Sequence, residues 1–148
     1  MENKKWLRPL IIVAVVAVLA LVGFVGIWVL QSMFPVAPPV ECPNVEEIIS
    51  ASAGQNYDAD VAVGMAEIQV WLDHIREAEP TREWSVNDYP AVKSYYTIQI
   101  QARDRSYHYY IYTENGQVYV EAPYTGIYRG DQALLVAVAE YVNGETTQ

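Results

Sequence analysis

Residues 10–30 carry no charged side chain, and no other property of the chain limits its possible structures so severely. Wound as a helix, at about 1.5 Å per residue, this stretch rises roughly 30 Å, the hydrocarbon thickness of a bilayer. Trp6 precedes it and Trp28 lies near its far end, where indole rings favour the boundary between lipid and water. Lys4, Lys5 and Arg8 abut the near end, whereas the next basic residue is Arg76. The positive-inside rule therefore predicts a cytoplasmic N-terminus over residues 1–9, a transmembrane helix over 10–30, and everything beyond it outside the cytoplasm. A cleaved secretory signal would have an apolar core of only about 7 to 15 residues and a small-x-small cleavage site. Here Ala37 is followed at once by Pro38 and Pro39, and Cys42 follows Pro39, Val40 and Glu41 rather than the small residues of a lipoprotein signal. The expectation is an uncleaved signal anchor, and so a single-pass plasma-membrane protein.

Beyond the span the chain changes character. From residue 31 onward six Lys and Arg stand against seventeen Asp and Glu, a formal charge of −11. Nucleic-acid binding draws its affinity from cations that displace counterions from phosphates, so no nucleic acid is expected as a partner. Residues 31–43 contain Pro35, Pro38, Pro39 and Pro43, which predicts an extended, semi-rigid linker. Cys42 is the sole cysteine, which excludes an internal disulfide and leaves either an intermolecular bridge or a free thiol.

Residues 44–148 are of a size that folds without metals or disulfides. Glu47-Ile48-Ile49-Ser50-Ala51-Ser52-Ala53 reads as a first strand ended by Gly54 and Asn56. Met65, Ile68, Leu72 and Ile75 recur at spacings of three and four, joined by Trp71, which predicts an amphipathic helix that Pro80 stops near Glu79. Ser85-Val86-Asn87-Asp88-Tyr89-Pro90 has the residues of an Asx-type turn.

Asn115-Gly116 between two β-branched and aromatic runs is a strong hairpin signal. A two-residue loop there pairs Thr113 with Val118, Tyr112 with Tyr119, Ile111 with Val120 and Tyr110 with Glu121. A preceding turn at Asp104-Arg105 pairs Ile100 with Tyr109, Ile98 with Ile111 and Thr97 with Tyr112. Both registers put Tyr96, Ile98, Ile100, Tyr109, Ile111, Val118, Val120 and Ala122 on one face, the expected core side. Pro123 ends the third of these strands, Thr125-Gly126 turns the chain, and Asp131 caps a last helix bearing Leu134, Leu135, Val138 and Val142. The predicted fold class is α+β: one N-terminal transmembrane helix and a β-α-β-β-β-α domain with an antiparallel sheet and helices on one face.

The opposite sheet face collects Gln99, Gln101, His108, Tyr110, Tyr112, Tyr119 and Glu121. Polar and aromatic together, and expected to be open to solvent, it is the candidate binding surface for an envelope protein, a peptide or a glycan. No catalytic, cofactor or metal residues are expected. His74 and His108 lack the local spacing of metal ligands, and Asn56-Tyr57-Asp58-Ala59-Asp60 lacks the glycine and distal glutamate of a calcium loop. Nucleophile, phosphate-loop and zinc-hydrolase patterns are missing.

Ser85-Val86-Asn87-Asp88-Tyr89-Pro90 and Tyr119-Val120-Glu121-Ala122-Pro123-Tyr124-Thr125-Gly126-Ile127-Tyr128 resemble a small domain family of Gram-positive bacteria, found behind a membrane anchor or appended to transmembrane sensor proteins of the antibiotic-responsive peptidase type. The resemblance covers residues 44 to about 142, and its sharpest motif is Glu-x-Pro-Tyr-x-Gly-Ile-Tyr. The family pattern has glutamine where this chain has Ala122. The family is a domain of unknown function, so the resemblance transfers no catalytic residue. It implies an extracytoplasmic, cell-envelope setting. In physical terms Pro123 and Gly126 set a turn, with Tyr124 and Tyr128 expected to pack beneath it; the alternative makes this turn, with Glu121, part of a recognition surface.

The expected function is thus a non-catalytic recognition or sensory accessory domain held at the membrane. A cell-envelope hydrolase, requiring Glu121 or His108 in a closed cleft with a second acid, and a structural spacer domain are the alternatives.

Overall fold

The computed structural model describes residues 4–33 and 35–145. The chain forms two compact units, one ending at Pro35 and the other Val36–Gln148. The first is the helix α1 (Lys4–Met33). Its segment Pro9–Met33, 25 residues, is long and apolar enough to cross a membrane. Leu10, Phe24 and Trp28 are 71%, 70% and 63% exposed, and no side chain of the segment is covered by protein. A helix apolar around its whole circumference is not one that packs a single stripe against a soluble core.

The second unit is an α+β fold. Its seven strands are β1 (Ile48–Gln55), β2 (Val61–Ala62), β3 (Glu79–Pro80), β4 (Tyr96–Ala102), β5 (Ser106–Glu114), β6 (Gln117–Ala122) and β7 (Gly126–Arg129). They form one antiparallel sheet in the order β2-β1-β4-β5-β6-β7-β3. Helices α2 (Met65–Arg76) and α3 (Gln132–Glu145) pack on one face. Ile98, Ile100, Tyr109, Ile111, Val118 and Val120 from the sheet meet Ile68, Trp71, Leu72 and Ile75 of α2 and Leu134, Val138 and Val142 of α3. The alternation that predicted the core side thus holds. Burying an aliphatic side chain in such a layer contributes on the order of 1.5–3 kcal/mol.

α3 begins where Asp131 supplies the cap. The Leu134 N–H donates to Asp131 Oδ1 at 2.7 Å, and Asp131 Oδ2 lies 2.7 Å from His74 Nδ1 at the end of α2. Burial pushes the Asp131 carboxyl upward, but the Leu134 N–H and the His74 ring outweigh it and hold the group below its ordinary value.

The Asn115-Gly116 hairpin forms in the predicted register, Tyr110 facing Glu121 and Thr113 facing Val118. Its loop residues have φ of 51° and 78°, left-handed values that asparagine and glycine tolerate. The β4–β5 register departs from expectation. Ile100 faces Tyr107, Ile98 faces Tyr109 and Thr97 faces Tyr110, because the Ala102 N–H donates to the Arg105 carbonyl and the turn is Arg103-Asp104, one residue earlier than predicted. Moving a turn by one residue slides the register by two, so every side chain keeps its face.

Three strands were not foreseen. β7 pairs with β6 where a turn and a loop were expected, and the two-residue strands β2 and β3 close the sheet's outer edges. The predicted 31–43 linker is also corrected. Ala37 and Pro43 are buried, the Ala37 N–H donates to the Thr81 carbonyl at 2.9 Å, and Tyr128, Tyr109 and Arg76 donate to the carbonyls of Pro38, Glu41 and Pro43. Proline removes backbone donors and leaves acceptors, so this extended segment is held by phenol and guanidinium donors from the domain. Gly126 makes the approach possible, since a Cβ there would lie 2.6 Å from the Ala37 Cβ. Cys42, half-buried, packs against the core. Burial pushes its thiol pKa up against the opposing pulls of Tyr109 and Arg76.

Candidate functional site

The predicted binding face is not open. Tyr110, Tyr112 and Glu121 are 3%, 5% and 4% exposed, because the connection from β3 to β4, residues 81–95, folds across them. Tyr95 and Tyr110 meet edge to face with ring centroids 5.4 Å apart, and Tyr89 lies 5.9 Å from Tyr110. Ser85 Oγ donates to Glu121 Oε1 at 2.6 Å while the Tyr112 hydroxyl donates to Glu121 Oε2 at 3.2 Å. Glu121 thus ties the covering segment to the sheet through Ser85, while Tyr112, on the neighbouring strand, satisfies its other oxygen from within the sheet. Burial raises the Tyr110 phenol to about 12, with Tyr89 and Tyr95 adding to it, and raises Tyr112 further, with Glu121 adding to it.

Tyr124 is also corrected. It stands at the β6–β7 turn with φ of 58° and is exposed rather than packed beneath the turn, and its hydroxyl donates to Asp88 of the covering segment. Tyr128 does pack beneath, fully buried, with its hydroxyl on the Pro38 carbonyl at 2.9 Å.

Of the predicted surface, Gln101 and His108 stay exposed, Gln99 and Tyr119 half-buried. The hydrolase alternative requires Glu121 or His108 in a closed cleft with a second acid: Glu121 is buried and engaged by Ser85 and Tyr112, while His108 is exposed on a groove that Glu41 and Asp88 also line. His74 is engaged with Asp131. Among the described residues no group of three His, Cys, Asp or Glu side chains could hold a metal ion.

An accessible concavity lies at the margin of the expected face. A groove of 440 Å³ is lined by Glu41, Asp88, Tyr89, Arg105, Tyr107, His108 and Tyr124, among others, a size in the usual range for ligand sites. The Arg105 guanidinium is 2.9 Å from Glu41 Oε2, donates through Nε to the Tyr107 hydroxyl at 2.8 Å and lies 4.6 Å from the Tyr107 ring centroid. The hydrogen bond to Tyr107 chiefly raises the Arg105 pKa. Alternation along β4–β6 could find Gln99, His108 and Tyr110, which also line the groove. It could not find Glu41, Asp88, Tyr89 or Tyr124, which arrive on irregular segments. Two signals pointed to the last three: the motifs Ser85–Pro90 and Tyr119–Tyr128 contain Asp88, Tyr89 and Tyr124, and structureless connections as long as the one after Pro80 tend to carry function in small domains.

A tyrosine-rich α+β domain behind an apolar helix is the class that these features define. Residues 37–129 match the model of a family described as Domain of unknown function (DUF5300), and the chain belongs to that family. The match begins at Ala37 and so includes the stretch that packs on the domain. A protein from Ruminococcus gnavus, solved by NMR, has a similar structure, with a TM-score of 0.52 and 27% identity over 66% of this chain and 98% of that one. No curated protein matches.

Proposed function

We propose that this chain is a single-pass membrane protein that displays a non-catalytic recognition domain on the outer side of the plasma membrane. The tyrosine-lined groove carries the reading: large, stiff aromatic surfaces with polar tips surround a concavity beside charged groups, the composition that favours capture of a partner. The apolar circumference of Pro9–Met33 supports retention in lipid, and Lys4, Lys5 and Arg8 before that segment support a cytoplasmic N-terminus. Partners are then envelope proteins, peptides or glycans rather than nucleic acid, in keeping with the domain's acidity.

Site-specific photo-crosslinking in native cells tests the proposal. A photoreactive residue replacing Tyr107, in the groove, is expected to give a discrete adduct. The same residue replacing Glu114, exposed at the hairpin end, is expected to give none. Equal adducts from both positions, or none from either, would contradict a recognition role for the groove.

A further inference from the structure

The groove exists because one strand outruns its neighbour. β5 pairs with β4 from Ser106 to Ile111 but with β6 only from Tyr110 to Glu114, since β6 ends at Ala122 and Pro123-Tyr124 turn the chain away. In an antiparallel ladder, bonded and non-bonded pairs alternate. The Ala102–Arg105 turn bond makes residues 107 and 109 those bonded toward β4. The Asn115-Gly116 hairpin agrees, because it makes Tyr110, Tyr112 and Glu114 those bonded toward β6. The backbone N–H and C=O of Ser106 and His108 therefore point into the groove, beside exposed side chains, with no strand to receive them.

This contrasts with the outer edges of the sheet. Those are closed by strands of two residues, one containing Pro80, devices that discourage edge-to-edge pairing. Between them, the edge of β5 is left open inside a walled slot. Its wall on the core side is Glu41 with Tyr107 and Tyr109, and on the opposite side Asp88 with Tyr89 and Tyr124.

We infer that this open edge of β5, residues 106–109, is the docking site of an extended, basic peptide segment, which adds to the sheet in line with β6 and beyond its end. The inference rests on the recognition reading above and names its ligand class. An edge of alternating donors and acceptors is matched by another strand, which supplies the complementary groups at the same spacing. A folded surface or a sugar does not. Basic side chains suit the slot because the guanidinium in its lining is already neutralised by Glu41 at 2.9 Å, Asp88 adds a carboxylate, and the residues beyond the helix carry a formal −11. Tyr89 and Tyr124 offer rings along which a lysine or arginine stem can lie.

Amide hydrogen exchange on the full chain in phosphatidylcholine nanodiscs tests the inference, with a capped hexapeptide of alternating valine and lysine as probe. Slowed exchange is expected at Ser106 and His108, whose N–H groups the probe would cover. Two further probes separate the causes: the same peptide methylated at every backbone nitrogen, and its valine–glutamate counterpart. Both are expected to bind at least about tenfold more weakly, the first for lost strand hydrogen bonds and the second for charge. His108→Pro removes one outward donor while leaving the β4 ladder intact, and is expected to abolish protection at Ser106 too. Should that variant fold poorly, the methylated probe decides the matter with the protein unaltered. Protection absent from residues 106–109, or unchanged by methylation or by charge reversal of the probe, would overturn the inference. A groove adduct at position 107 that persisted beside such a result would leave the recognition reading standing and remove only strand addition.

Discussion

Both faces of the sheet are covered, one by two helices and the other only in part, by residues 81–95, and the physics differs between them. On one, isoleucine and valine of β4–β6 meet two helices whose apolar positions recur at helical spacing, and the contact is non-directional. On the other, Tyr110 and Tyr112 form a separate small cluster with Tyr95, the last residue of the segment without regular structure that covers them. That cover is attached by directed bonds, among them Ser85 on Glu121, Tyr124 on Asp88 and backbone bonds that join Thr81 and Glu83 to Ile127. The first face is what lets the domain fold. The second holds in place one wall of a groove, and a wall held by a few hydrogen bonds is the more readily displaced.

Substitutions can break this contrast. Ile98→Ala, in the helix-covered layer where the side chain is fully buried, is expected to cost about 2–5 kcal/mol by chemical denaturation, with cooperative loss of the whole domain. Glu121→Ala removes the acceptor of two buried hydroxyls and is expected to cost about 1–3 kcal/mol. Its exchange signature should be local, with faster amides in residues 81–95 and little change in α2 and α3. If it instead loosened both faces equally, the two layers would be one cooperative unit and the comparison would fail.

Alkaline titration sharpens the contrast without mutation. Burial raises Tyr95 and Tyr110 to about 12 from an ordinary value of 10. A raised pKa means that the folded state favours the neutral phenol, so the contribution is fully present below pH 10 and is lost as pH rises toward 12. Tyrosine absorbance should therefore report ionisation of this face together with release of residues 81–95. The smallest effect belongs to Tyr95→Phe. The Tyr95 hydroxyl is buried near Tyr57 and makes no hydrogen bond of good geometry among the described residues, so its removal is expected to be neutral or to stabilise by up to about 1 kcal/mol. A loss of more than that would reveal a bond to the hydroxyl.

The same contrast explains what the sequence could reveal. Local chemistry was legible: the Asn115-Gly116 turn, the helix spacing of Ile68, Leu72 and Ile75, and the Asp131 cap all act within a few residues of where they are written. The period-two pattern gave the core face even though the Arg103-Asp104 turn shifted the register, because a slide by two preserves the face. Alternation says which side chains share a face, however, and nothing of what covers it. Ser85 reaches Glu121 across 36 positions, and Ala37 lies against Gly126 from a segment that proline content marks as linker. Such contacts depend on the assembled fold, as does the four-residue strand β7, too short to show a period. The candidate surface was accordingly half legible: alternation named the strand residues Gln99, His108 and Tyr110, while Asp88, Tyr89 and Tyr124 stood out only as motif residues and Glu41 not at all.

Everything proposed about partners presupposes that α1 stays in the bilayer with the groove facing outward. Labelling of Glu114→Cys in a Cys42→Ser background with a membrane-impermeant maleimide, on intact cells and followed by intact mass, measures this in one step. The account predicts a labelled chain that still contains residues 4–33. Label taken up only after lysis, or a mature chain that begins beyond the helix, would contradict it.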